Sequence, residues 1–113
     1  MSMYGTFKDC VIAISGQLSA EVDLGRQYDE MLIVMPTITQ AAISVQVAEK
    51  SGDTAQSLYV TDPASGNNKQ IISSLTTGAL TWIVPIGGAR YIKLYSSVTQ
   101  AAEETFRVCG RRN

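Results

Sequence analysis

Histidine is absent from the chain. Its absence removes the commonest general base, the commonest metal ligand and every Ser–His or Cys–His nucleophile. Cysteine is nearly absent: Cys10 and Cys109 stand near the two ends, and two thiols without histidine cannot build an ordinary zinc site in one chain. Charge is sparse as well. Asp, Glu, Lys and Arg make up 17 % of the 113 residues and sum to −1, against the usual quarter of a globular chain. Without a strong field of one sign, nothing steers the protein to nucleic acid or to an anionic membrane. The one local bias is "RVCGRRN", where Arg107, Arg111 and Arg112 cluster. Three arginines are too few for a nucleic-acid site, and they read as a polar tail that pairs with acidic protein surface. The longest apolar run, "MLIVMP" from Met31, is strand-sized, far short of the roughly 20 residues that cross a bilayer. The start, "MSMYGTFKD", shows no basic segment followed by an apolar one, so no signal peptide is read and cytoplasmic synthesis is expected.

What the chain does have is alternation. "SAEVDL" sets Ala20, Val22 and Leu24 against Ser19, Glu21 and Asp23, and "AISVQVAE" sets Ile43, Val45 and Val47 against Ser44, Gln46 and Ala48. A period of 2 marks a strand with one dry and one wet face. Further strands are expected at "FKDCVIAIS", "SLYVTD", "NKQIISSL", "ALTWIVP", "ARYIKLYSS" and "ETFRVCGR". "MLIVMP" is apolar on both faces, which suits a central strand covered on both sides or a strand in a subunit interface, with Pro36 as its end. Turn residues recur about every ten to twelve positions, the spacing of an all-β sandwich or barrel. "TQAAEE" has room for one helical turn, and Trp82, at period 2 with Leu80 and Val84, is expected to fill the core. The reading is one all-β domain over residues 1–113: a two-sheet antiparallel sandwich, jelly-roll-like, with an immunoglobulin-like sandwich as the alternative. In either, the terminal strands can lie close together. Cys10 and Cys109 are then either a disulfide or two small buried side chains.

Carboxylates alone do not suggest catalysis. Asp29 with Glu30 and Glu103 with Glu104 are adjacent pairs, and Glu21 with Asp23 shares a strand face. A glycosidase needs two carboxylates opposed across a cleft, so no enzyme and no cofactor are expected. "TDPASGNN" offers Asp62, Ser65 and Asn67 as oxygen ligands. It lacks the acidic density of a calcium site, and Pro63 and Gly66 already explain it as a turn.

Binding by surface remains. In "GGARYIKLYSS", Ile92 and Leu94 take one face and Tyr91, Lys93 and Tyr95 the other. Tyrosines on a sheet face can stack on sugar rings or enter protein interfaces. With one Trp, two Phe and five Tyr in the chain, protein contact is ahead and a glycan is the alternative ligand. The candidate contact residues are Met31, Ile33 and Met35 of the doubly apolar strand, Tyr91, Lys93 and Tyr95, and the basic pair Arg111 and Arg112.

The order of motifs carries a resemblance. "SGQLSAEVDLG" is followed by an apolar strand ending in "MP", then "ISVQVAEKSG", "LYVTDPASG", "WIVPIGGARYIKLYSS" and "ETFRVCGR". In this the chain resembles small β-sandwich proteins encoded among the structural genes of tailed bacteriophages, similar to head decoration (cement) proteins. The resemblance implies a jelly-roll-like fold, a homotrimer, and a place on the capsid surface of the virion. There such a protein binds the major capsid protein or another virion protein and stabilises the head. A small tail or baseplate component is the neighbouring alternative.

Overall fold

The computed structural model describes residues 3–112. The strands are β1 (Met3–Tyr4), β2 (Lys8–Ile12), β3 (Val22–Asp23), β4 (Glu30–Ala41), β5 (Ile43–Ala48), β6 (Gln56–Ser57), β7 (Tyr59–Thr61), β8 (Asn68–Gln70), β9 (Thr76–Pro85), β10 (Tyr91–Ser96) and β11 (Glu104–Arg112). Every pairing is antiparallel. One sheet runs β11–β4–β9, with β1 and β2 lying one after the other along the far side of β11. The other runs β3–β10–β5–β6, and β7 with β8 forms a separate ribbon. Apart from β5–β6 and that ribbon, consecutive strands from β2 onward switch sheets. That is the wrapping of a jelly roll, where sheet neighbours are distant in sequence, and it displaces the immunoglobulin alternative.

Period 2 sorts the core as expected in β5 and β10. Ile43, Val45, Ile92 and Leu94 are all fully buried, and they share one core with Met31, Ile33, Phe106 and Val108. Each such burial contributes roughly 1.5–3 kcal/mol of transfer free energy.

Three expectations need correction. Pro36 does not end its strand, because β4 continues to Ala41. The last β4–β11 pair is Val34 with Arg107, and on the β9 side the register passes from Met35–Leu80 to Thr37–Gly78. Pro36 thus falls where no paired position needs an N–H, the tolerated place for a proline in a sheet. Second, Thr99–Glu104 forms no helical turn. Instead Gln100 is fully buried and its amide clamps β4: Oε1 accepts from Thr39 N (2.9 Å), while Nε2 donates to Thr39 O (3.2 Å) and Ser96 Oγ (2.9 Å). Third, Trp82 fills the core only in part: it faces inward beside Ile33 and packs against the core, but at the margin of its sheet it stays half-buried.

Of the two alternatives for the cysteines, the structure has the second: both are free and buried. Cys10 pairs in register with Phe106, whose side chain points into the core. Cys109 lies an odd number of residues further along β11, so its side chain leaves the opposite face. The two thiols therefore cannot meet. Burial pushes the Cys10 thiol above its ordinary pKa, against the opposing pull of its hydrogen bond to Ser19 Oγ (3.2 Å). Cys109 Sγ donates to Gly5 O (3.1 Å).

Candidate protein-contact surface

Two sheet faces point outward, and the expected contact residues divide between them and the core. Met31, Ile33 and Met35 are 0 %, 0 % and 3 % exposed. They form the inward row of β4, so they are core residues and not contact residues. The outward row of the same strand holds Leu32 and Val34. Register carries that row across the sheet: Cys109–Leu32–Ile83 and Arg107–Val34–Thr81. Val34 is 37 % and Ile83 53 % exposed, which leaves an apolar centre open to solvent on four strands of continuous sheet.

Charge surrounds that centre. Arg107 Nε lies 3.0 Å from Asp9 Oδ1 on the neighbouring β2, and its guanidinium stands 5.8 Å from the centroid of the exposed Phe7 ring. Further along, Arg111 Nε lies 3.8 Å from Glu30 Oε1. Arg111 and Arg112 are not a tail, since β11 runs through both and pairs with Met3 and Tyr4 of β1. An apolar centre rimmed by ion pairs is the usual anatomy of a protein interface. The signal for Leu32 and Val34 lay in "MLIVM", where both parities are apolar. Periodicity alone gives no reason to send one row inward and the other out.

Tyr91, Lys93 and Tyr95 do share the outward face of β10, alternating with buried Ile92, Leu94 and Ser96. All three are half-buried and occupied within the chain or beside neighbouring strands. The Arg90 guanidinium lies 5.2 Å from the Tyr91 ring centroid, and Gln17 Nε2 donates to Tyr95 Oη at 3.4 Å. Lys93 pairs in register with Gln46. Beside Tyr91 the loops around residues 25–27, 48–57 and 86–90 enclose an open depression of about 1030 Å³.

Three of the carboxylates singled out in the sequence, Asp23, Glu21 and Asp62, are spent on structure. Arg90 Nε donates to Asp23 Oδ1 at 2.7 Å and Nη2 to Oδ2 at 3.0 Å. That guanidinium, with the N–H of Gly25, holds the Asp23 carboxyl below its usual range. Being exposed, the pair is screened and adds little stability. Glu21 accepts from Ser51 Oγ (2.7 Å) and Gly52 N (3.1 Å), tying β3 to the β5–β6 loop. Asp62 closes its own turn, its carbonyl taking the Gly66 N–H at 2.7 Å and its carboxylate the Ala64 N–H at 3.0 Å. Among the described residues, no three His, Cys, Asp or Glu side chains gather as metal ligands.

No family model and no curated protein sequence matches the chain. Solved structures do. SPBc2 prophage-derived protein YomS is 16 % identical, with 98 % of this chain and 95 % of that one covered and a TM-score of 0.62. At that identity the likeness shows a shared fold, and the resemblance to small phage β-sandwich proteins is met at that level. The mitogen from Yersinia pseudotuberculosis is 10 % identical with a TM-score of 0.38, covering 100 % of this chain and 88 % of its own. A chain of the cyanophage Pam1 capsid asymmetric unit is 15 % identical with a TM-score of 0.37, covering 95 % and 84 %. Scores this low carry no functional argument.

Proposed function

We propose that the chain is a non-enzymatic virion structural protein, a decoration protein that binds the outside of a phage head and stabilises it. The observation that carries this reading is the outward apolar centre of the five-stranded sheet, Leu32, Val34 and Ile83, rimmed by the Arg107–Asp9 and Arg111–Glu30 pairs. A monomeric domain gains nothing from such a patch, whereas a partner that covers it removes apolar area from water at about 25 cal/mol per Å². The prophage origin of YomS, which shares the fold, is in keeping with the reading. The partner is the major capsid protein or another virion protein, met through this face.

Two substitutions test the face. Val34→Lys and Ile83→Lys each place a charge at its centre, and both positions are exposed, so the sandwich is expected to fold. Desolvating that charge in a complex is expected to cost at least about 2 kcal/mol, a loss of roughly 30-fold in affinity. Co-sedimentation with phage particles made without the chain reads it out. Wild-type binding with both variants lost supports the assignment; wild-type binding retained by both removes the face from the interface. A wild-type chain that binds no particles overturns the function itself.

A further inference from the structure

The sheet margins treat their exposed hydrogen-bonding groups differently. An edge strand offers a row of unpaired N–H and C=O groups, and chains normally blunt it by shortness, charge or cover. Here β1, β3 and β6 are two residues long, and β3 carries Asp23. β2 carries Lys8 and Asp9, and its Val11 carbonyl is already taken by Ala20 N at 3.3 Å. β9 is the exception. It is ten residues long, contains no charge, and among the described residues pairs only with β4. Not one charged residue occurs between Lys69 and Arg90. The only comparable stretch, between Glu30 and Glu49, supplies β4 and β5, which have neighbours on both sides. β9 thus has the composition of a central strand in the position of an edge.

Beside β9 the sandwich gapes. A groove of about 340 Å³ runs between its margin and residues 72–76, lined by Met35, Ile72, Leu75, Leu80 and Trp82. Leu80 is 42 %, Ile72 43 % and Leu75 66 % exposed.

We infer that β9 pairs antiparallel with β9 of a second copy of this chain, across a two-fold axis at Trp82. The register is bounded at both ends. Ala79 has a positive φ of 59° and interrupts the strand on one side, and Pro85, without an N–H, stops it on the other. The regular run between them, Leu80–Val84, is centred on Trp82. Pairing about that centre sets Leu80 against Val84 and Thr81 against Ile83 of the other copy, each pair on one face of the joined sheet. Leu80 and Trp82 then enter the partner's side of the groove. The paired run Leu80–Val84, five residues or about 17 Å at 3.3 Å each, joins the two sheets into one by backbone hydrogen bonds and adds the apolar contact of Leu80 and Trp82 with the partner. A neutral surface meets its own copy with no charge left unpaired. Like-edge pairing closes with two-fold symmetry, so an even-numbered oligomer replaces the trimer that the resemblance implies. The inference is independent of what the outward face of the five-stranded sheet binds.

The test uses full-length protein and its sole tryptophan. Light scattering behind a sizing column is expected to give twice the chain mass, falling to the chain mass on dilution. Trp82 emission should shift to the red over the same concentration range. Leu80→Lys, at an exposed position on the groove side, is expected to remain folded by circular dichroism, monomeric and red-shifted throughout, while still binding particles when concentrated. A single-chain mass at every concentration, a three-chain mass, or a dimer that Leu80→Lys leaves intact would each overturn the inference.

Discussion

Replacing Gln100 by Leu is expected to cost about 3 kcal/mol of unfolding free energy and to lower the melting temperature by roughly 10 °C. The two side chains have similar volume, so the loss is not one of packing. Gln100 is fully buried and spends its carbonyl on Thr39 N and its NH₂ on Thr39 O and Ser96 Oγ. An apolar replacement leaves those groups without partners, and an unsatisfied buried group costs about 1–3 kcal/mol. The backbone of the same residue ties a third segment in: Ser15 N donates to Gln100 O (2.9 Å), and Gln100 N to Gly16 O (3.0 Å). These backbone bonds survive the substitution, so the fold is kept while its stability drops. Gln100→Glu removes the donor and adds a buried charge, and should fall at least as far. Urea unfolding of the three proteins measures both effects. Equal stability of wild type and Gln100→Leu would show that water replaces the clamp.

Gly110→Ala is expected to be comparably severe, near 3 kcal/mol, although it adds one methyl group. The ring of Tyr28 occupies the place where a Cβ on Gly110 would stand, and its hydroxyl reaches within 2.6 Å of the corresponding point on Gly5. Tyr28 is 4 % exposed, so the added carbon must displace the buried ring or the strand. Overpacking of this kind costs typically 1–3 kcal/mol. A double-mutant cycle separates the clash from any general effect of alanine on the strand. With the ring removed by Tyr28→Ala, the second substitution should cost under about 0.5 kcal/mol. An undiminished cost in that background would place the strain elsewhere.

Neither residue announces itself in the sequence, and the reason is physical. Gln100 meets Thr39 across 61 positions, and Tyr28 meets Gly110 across the sheet. Periodicity reports which face of an element is dry, but carries nothing about which distant group lies against it. Where one face is dry and the other wet, the reading succeeds: Ile92 and Leu94 go inward, and Tyr91, Lys93 and Tyr95 outward. Where both rows are apolar, as in Met31–Met35, it gives no choice. Met31, Ile33 and Met35 are the buried row, and the proposed contact row, Leu32 and Val34, lies one position along the same strand. The cysteines follow the same logic. Their strands are neighbours, as expected of terminal strands, but their parity against Phe106 sends them to opposite faces. The uncharged composition of β9 is legible in "ALTWIVP", although the strand starts three residues earlier; that it lies at a margin is a property of topology, which only the folded chain supplies.

A decoration protein, as proposed, must be a stoichiometric part of the particle. The most direct measurement is its copy number in purified phage particles, by quantitative mass spectrometry against the major capsid protein. The account predicts a fixed, high ratio to the capsid protein, and heads that break at lower temperature when the gene is deleted. Particles that contain none of the chain, and are as stable with the gene as without it, would contradict the account.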